Sequence, residues 1–93
     1  MANTKSAKKR MRRNEKRRIR NRLHRTTART MVKRARVAIA GGEMETSVEA
    51  VREAVRALDK AASKGVIHKN NASRRKSRLM KHLAKLQAEQ AGE

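Results

Sequence analysis

Met31-Val32-Lys33-Arg34-Ala35-Arg36-Val37-Ala38-Ile39-Ala40-Gly41-Gly42 is the stretch that decides how this chain folds. Met31, Val32, Ala35, Ala38 and Ile39 recur at spacings of three and four, which puts them on one face of a helix. The paired glycines stand where a left-handed residue would end it. Toward the N-terminus there is neither Gly nor Pro, so a single helix is predicted back to residue 6 or 4. On the other side, Thr46 followed by Glu49 has the pattern of a capping box ahead of Val48, Val51, Val55, Leu58 and Ala62. Those five step by three and four, a seam for antiparallel packing, and Gly65 closes this second helix. After Val66-Ile67, the positions of Ala72, Leu79, Leu83 and Leu86 predict a third amphipathic helix over about residues 68 to 87, with residues 88 to 93 frayed.

The three helices are unequal, and the inequality shapes the fold. A first helix of about 35 residues is ~52 Å long, whereas the other two reach only ~25 to 30 Å. Its N-terminal half therefore has nothing to pack on. The apolar stripe agrees, dense from Ala28 to Ile39 but reduced before that to Met11, Ile19 and Leu23. The predicted fold is all-α and a single domain over residues 1 to 93. A short three-helix bundle occupies residues 28 to 87, and the long, highly basic N-terminal helix projects from it through residues 1 to 27. Of the hydrophobic 37% of the chain, fifteen residues are Ala, so few large apolar side chains hold the bundle, and stabilisation by a bound partner is expected.

Charge identifies that partner. Residues 1 to 36 carry sixteen Lys/Arg against one acid, Glu15; residues 64 to 86 carry eight with no acid; residues 37 to 63 carry five acids and three bases. A helix so charged repels itself until a polyanion neutralises it, and the net charge of +19 points to nucleic acid. At 100° per residue, Lys8, Lys9, Arg10, Arg12, Arg13 and Arg18 already encircle the axis. Charge on every side suits an element wedged between several nucleic acid helices, as in a large folded RNA. With no Phe, Tyr or Trp there is no platform for base stacking, so recognition should rest on phosphates and shape. A disordered basic tail or localisation cluster is the simpler reading of short Lys/Arg runs, but here the run passes without a linker into a strongly helical segment. An arm that orders only on RNA is compatible with both.

Other classes fit poorly. His24, His68 and His82 lack the spacing of a helical metal pair, and there is no Cys, so no metal or cofactor is expected. Glu49 and Glu53 share a face with Arg52 and Arg56 at i+3, which favours ion pairing over acid–base catalysis. Gly41-Gly42 lacks the rest of a phosphate-binding loop, and no enzyme activity or small-molecule substrate is expected. Val37 to Ala40 is the longest apolar run, too short for a membrane span or a signal peptide, so no membrane association and a cytoplasmic location are expected. A leucine-zipper DNA binder would continue its basic helix through heptads, which Gly41-Gly42 forbids. A membrane-active helix would segregate its charge.

Met1-Ala2-Asn3-Thr4-Lys5-Ser6-Ala7-Lys8-Lys9-Arg10, Lys64-Gly65-Val66-Ile67-His68-Lys69-Asn70 and Ala72-Ser73-Arg74-Arg75-Lys76-Ser77-Arg78-Leu79 together resemble the S-twenty family of bacterial small-subunit ribosomal proteins, over nearly the whole chain. The resemblance implies a long first helix and a three-helix bundle bound directly to small-subunit ribosomal RNA, supporting its folding during assembly. It also implies a monomer within the ribosome that needs few or no protein contacts. Carried over by position, the RNA contacts fall on Lys5, Ser6, Lys8, Lys9, Arg10, Arg12, Arg13, Lys16, Arg17, Arg18, Arg20, Arg22 and Arg25, and on His68, Lys69, Asn70, Arg74, Arg75, Lys76 and Arg78. These are the two surfaces the charge distribution selects. The alternative is a generic nucleoid-type DNA binder or a basic nucleic-acid chaperone.

Overall fold

The structure, a computed structural model, describes residues 4–92. It contains three helices, α1 (Lys5–Ala40), α2 (Met44–Ser63) and α3 (Lys69–Ala91), with no strand among the described residues. The bundle is all-α with a long first helix, as the glycine punctuation predicts. Its extents are 69 × 21 × 14 Å and its radius of gyration is 18.4 Å. A compact chain of this length would have a radius of gyration of about 12 Å, so the molecule is a rod with a bundle at one end.

α1 opens at Thr4, whose extended backbone and Oγ1, accepting from the Ala7 N–H at 3.2 Å, make a side-chain cap. It closes at Gly41, and Gly42 takes the left-handed conformation with φ of 77°. Gly42 is thus demanded by the turn's geometry, since an L side chain there would be strained. Gly65, with φ of 73°, plays the same part after α2. There the Gly65 N–H bonds Ala62 O and the Val66 N–H bonds Ala61 O at 2.9 Å, the paired bonds of a Schellman motif, with Val66 buried beneath them.

The start of α2 differs from the expected capping box. Its N-cap is Glu43, without a side-chain cap bond, and Thr46 lies exposed inside the first turn. The hydroxyl that matters belongs to Ser47, fully buried. Its Oγ lies 3.0 Å from Ala38 O of α1 and 2.6 Å from Glu43 O, placed to donate to either carbonyl. The Gly42 N–H bonds Ile39 O, while Ser47 serves the neighbouring Ala38 carbonyl. The helix begins earlier than expected because this bond fixes Ser47 against the end of α1.

α2 lies between the other two helices and packs on both, whereas α1 and α3 touch less. Its buried line is Ser47, Val51, Ala54, Leu58 and Ala61, with Val55 and Ala62 of the expected seam at its edge. The small side chains at Ala54 and Ala61 let neighbouring backbones approach. Around them gather Ala28, Val32 and Ala35 of α1 and Ala72 and Leu79 of α3, with Leu86 also buried nearer the end of α3. α3 runs to Ala91, four residues beyond the expected end. Residues 88 to 91 are helical because no helix breaker precedes Gly92 and Gln90 Nε2 donates to Gly42 O at 2.5 Å, tying the last turn to the first loop. Glu93, the end of the segment expected to fray, lies outside the described residues.

Candidate nucleic-acid interface

α1 has no sustained apolar face, and its first buried residue is Ala28. Before it, Met11, Ile19 and Leu23 are 62%, 52% and 63% exposed, so even the large apolar residues of this half stay outside the core. All thirteen expected contact residues between Lys5 and Arg25 are exposed, and they surround the axis. Glu15 offers the one local counter-charge, 3.9 Å from Arg18 between two exposed side chains, a pair too solvated to matter. The result is a free-standing cationic rod.

The second expected surface is less uniform. His68 is the N-cap of α3, and its Nδ1 accepts the Asn70 N–H at 3.1 Å. Only its Nε2 remains to meet a ligand, so the imidazole is first a capping group. Lys69, Asn70 and Arg74 are exposed around the helix start. Lys76 is half-buried and donates to Asp59 Oδ1 of α2 at 2.7 Å, so its charge is already engaged within the bundle. Arg75 and Arg78 turn the other way, toward α1.

There the structure adds residues that sequence reasoning did not single out. Arg29, Lys33 and Arg36 of α1 join Arg75 and Arg78 of α3 around a cleft of about 510 Å³. The signal was present in the i, i+4, i+7 spacing of the three α1 residues, but spacing does not say which helix they face. With α2 antiparallel to its neighbours, α3 runs alongside α1 in the same direction. Its last turn sits by Gly42 and its start at the end of the bundle from which the rod emerges. Rod, cleft and α3 N-terminus thus form one continuous basic surface.

The acidic residues Glu45, Glu49, Glu53 and Asp59 are all exposed on α2, together with Arg52 and Arg56. Charge is therefore segregated by helix, with most of the basic side chains on α1 and α3. No helix among the described residues is long and apolar enough to cross a membrane.

Comparison with known proteins shows the family to which the chain is similar. The family model described as Ribosomal protein S20 matches residues 2–84. A small ribosomal subunit protein bS20 of Thermomicrobium roseum is 54% identical over 81 residues, covering 87% of this chain and 82% of the relative. Those of Roseiflexus sp., 54% identical with 95% and 96% covered, and Aquifex aeolicus, 50% identical with 98% of both chains covered, are similar to it along nearly their full lengths.

Proposed function

Because the chain belongs to the ribosomal protein S20 family, we propose that it is a structural constituent of the small ribosomal subunit, binding the subunit's RNA directly and helping it fold during assembly. The role is structural rather than enzymatic, and its place is the bacterial ribosome in the cytoplasm. The observation that carries this reading is the rod of α1, whose thirteen expected contact residues are all exposed and set on every side of the axis.

RNA helices repel one another, and a rod inserted between them replaces condensed counterions with fixed cations. Releasing those ions to bulk solution supplies much of the binding free energy and makes it salt-dependent. Arg accounts for sixteen of the 27 basic residues, which suits bidentate contact with phosphate. In this mechanism Lys5, Lys8, Lys9, Arg10, Arg12, Arg13, Lys16, Arg17, Arg18, Arg20, Arg22 and Arg25 hold phosphates along the rod, with Ser6 donating from its first turn. His68, Lys69, Asn70, Arg74, Arg75 and Arg78 hold them at the bundle, and Lys76 contributes less while Asp59 retains it. Residues 1 to 27 act as the inserted arm and residues 28 to 87 as its anchor, in one domain that works as a monomer with few protein contacts.

The test is sedimentation of ribosomal subunits followed by protein–RNA crosslinking. The protein should travel with the small subunit and crosslink to its RNA through residues 5 to 25 and 68 to 78. A protein that stays free of the subunit, or crosslinks chiefly to DNA, contradicts the proposal.

A further inference from the structure

Arg29, Lys33 and Arg36 step by four and three along α1, and Arg75 and Arg78 by three along α3, so each helix presents one basic face to the same cleft. Val32, almost completely buried, also lines the cleft, and no acidic residue does. Asp59 does not line it and is held by Lys76. None of the five cations forms an ion pair among the described residues. A folded bundle that gathers five like charges around one opening is built to receive negative charge there.

The geometry points to this cleft as a preformed seat for the phosphates of one RNA strand, engaged before the rod of α1 settles between RNA helices. This inference rests on the RNA-binding function proposed above and adds to it a site and an order of events. The walls are fixed by burial that needs no RNA, through Val32 and Ala35 on α1 and Ala72 and Leu79 on α3. The rod has no such support. Cations held in place lose less freedom on binding than cations on an unsupported element, so each cleft residue contributes more affinity than each rod residue. Four of the five are Arg, whose planar fork meets two oxygens of one phosphodiester. From Arg29 to Arg36 the cleft runs about 10 Å along α1, longer than a single phosphate group, which favours a strand over an isolated anion.

Two triple variants of the full chain remove equal charge: Lys33→Gln, Arg75→Gln, Arg78→Gln in the cleft, and Arg12→Gln, Lys16→Gln, Arg20→Gln in the rod. Each is titrated with linear tripolyphosphate and with the folded 5′ domain of small-subunit RNA, after circular dichroism has compared its fold with the parent. The cleft variant should bind tripolyphosphate about tenfold more weakly and associate more slowly with RNA, while the rod variant changes tripolyphosphate binding less than about twofold. A charge-preserving variant, Arg75→Lys with Arg78→Lys, keeps the packing and should still lose severalfold in RNA affinity without a change in salt slope. Equal losses from the two triple variants would mean diffuse charge and overturn the site. Loss of tripolyphosphate binding with RNA affinity and rate unchanged would assign the cleft to free polyphosphate and overturn the RNA strand, leaving the rod's function standing. Failure of the parent protein itself to bind RNA would instead overturn the proposed function.

Discussion

Leu58→Ala removes the side chain on which the bundle depends most. Leu58 is fully buried on α2, the helix that packs on both others, and with Leu79 it is one of the two largest fully buried apolar side chains. Five core residues, Ala28, Ala35, Ala54, Ala61 and Ala72, are already alanines, so the remaining large ones carry most of the apolar burial. Truncating a buried Leu costs about 2 to 5 kcal/mol. A bundle of roughly 65 residues has a total stability of about 3 to 10 kcal/mol, so the substitution removes about a fifth of it or more. Urea unfolding followed by far-ultraviolet circular dichroism should show the free variant losing about 3 kcal/mol. RNA at a hundred times its Kd adds about 2.7 kcal/mol, so the bound variant should unfold near the midpoint of the free parent. A loss below about 1 kcal/mol would refute the view that α2 is the element holding α1 and α3 together.

Three further substitutions probe the ends of the helices. Ser47→Ala removes a hydroxyl placed between the Ala38 and Glu43 carbonyls and should lower stability by about 1 to 3 kcal/mol in the same urea assay. Gly42→Ala meets open space but must hold a left-handed backbone, for a loss of about 1 to 2 kcal/mol in thermal or urea unfolding. His68→Ala should cost about 1 kcal/mol while His68→Asn restores the N-cap, and a chemical-denaturation comparison of the two separates capping from any RNA contact.

What could be read from the chain was what local chemistry dictates. Gly42 and Gly65 mark the ends of α1 and α2 because left-handed residues favour Gly, whereas the start of α1 was legible only to residue 6 or 4, and the Thr4 hydroxyl that caps it decides between them. The exposed rod follows from unequal helix lengths and a thinning apolar stripe. The start of α2 was not legible, since Thr46 and Glu49 match a capping pattern while the bond that sets the boundary joins Ser47 to Ala38 across a turn. Ala54 and Ala61 carry little hydrophobic signal, and their burial reflects how closely the helices approach. The pairing of Lys76 with Asp59 and the cleft between α1 and α3 depend on which helix faces which, information that no single helix contains.

The function follows from an imbalance within one small fold. α2 supplies most of the packing and nearly balanced charge, leaving α1 and α3 free to concentrate cations of which, Lys76 apart, almost none meets a carboxylate. A duplex presents its phosphates from one side, whereas a folded RNA can surround a rod with them. Competition at equal phosphate concentration and moderate salt, between the folded 5′ domain of small-subunit RNA and a linear DNA duplex, tests this most directly. The folded RNA should displace the duplex from the intact protein and hold it far more tightly. A DNA duplex that competes equally well would contradict the account.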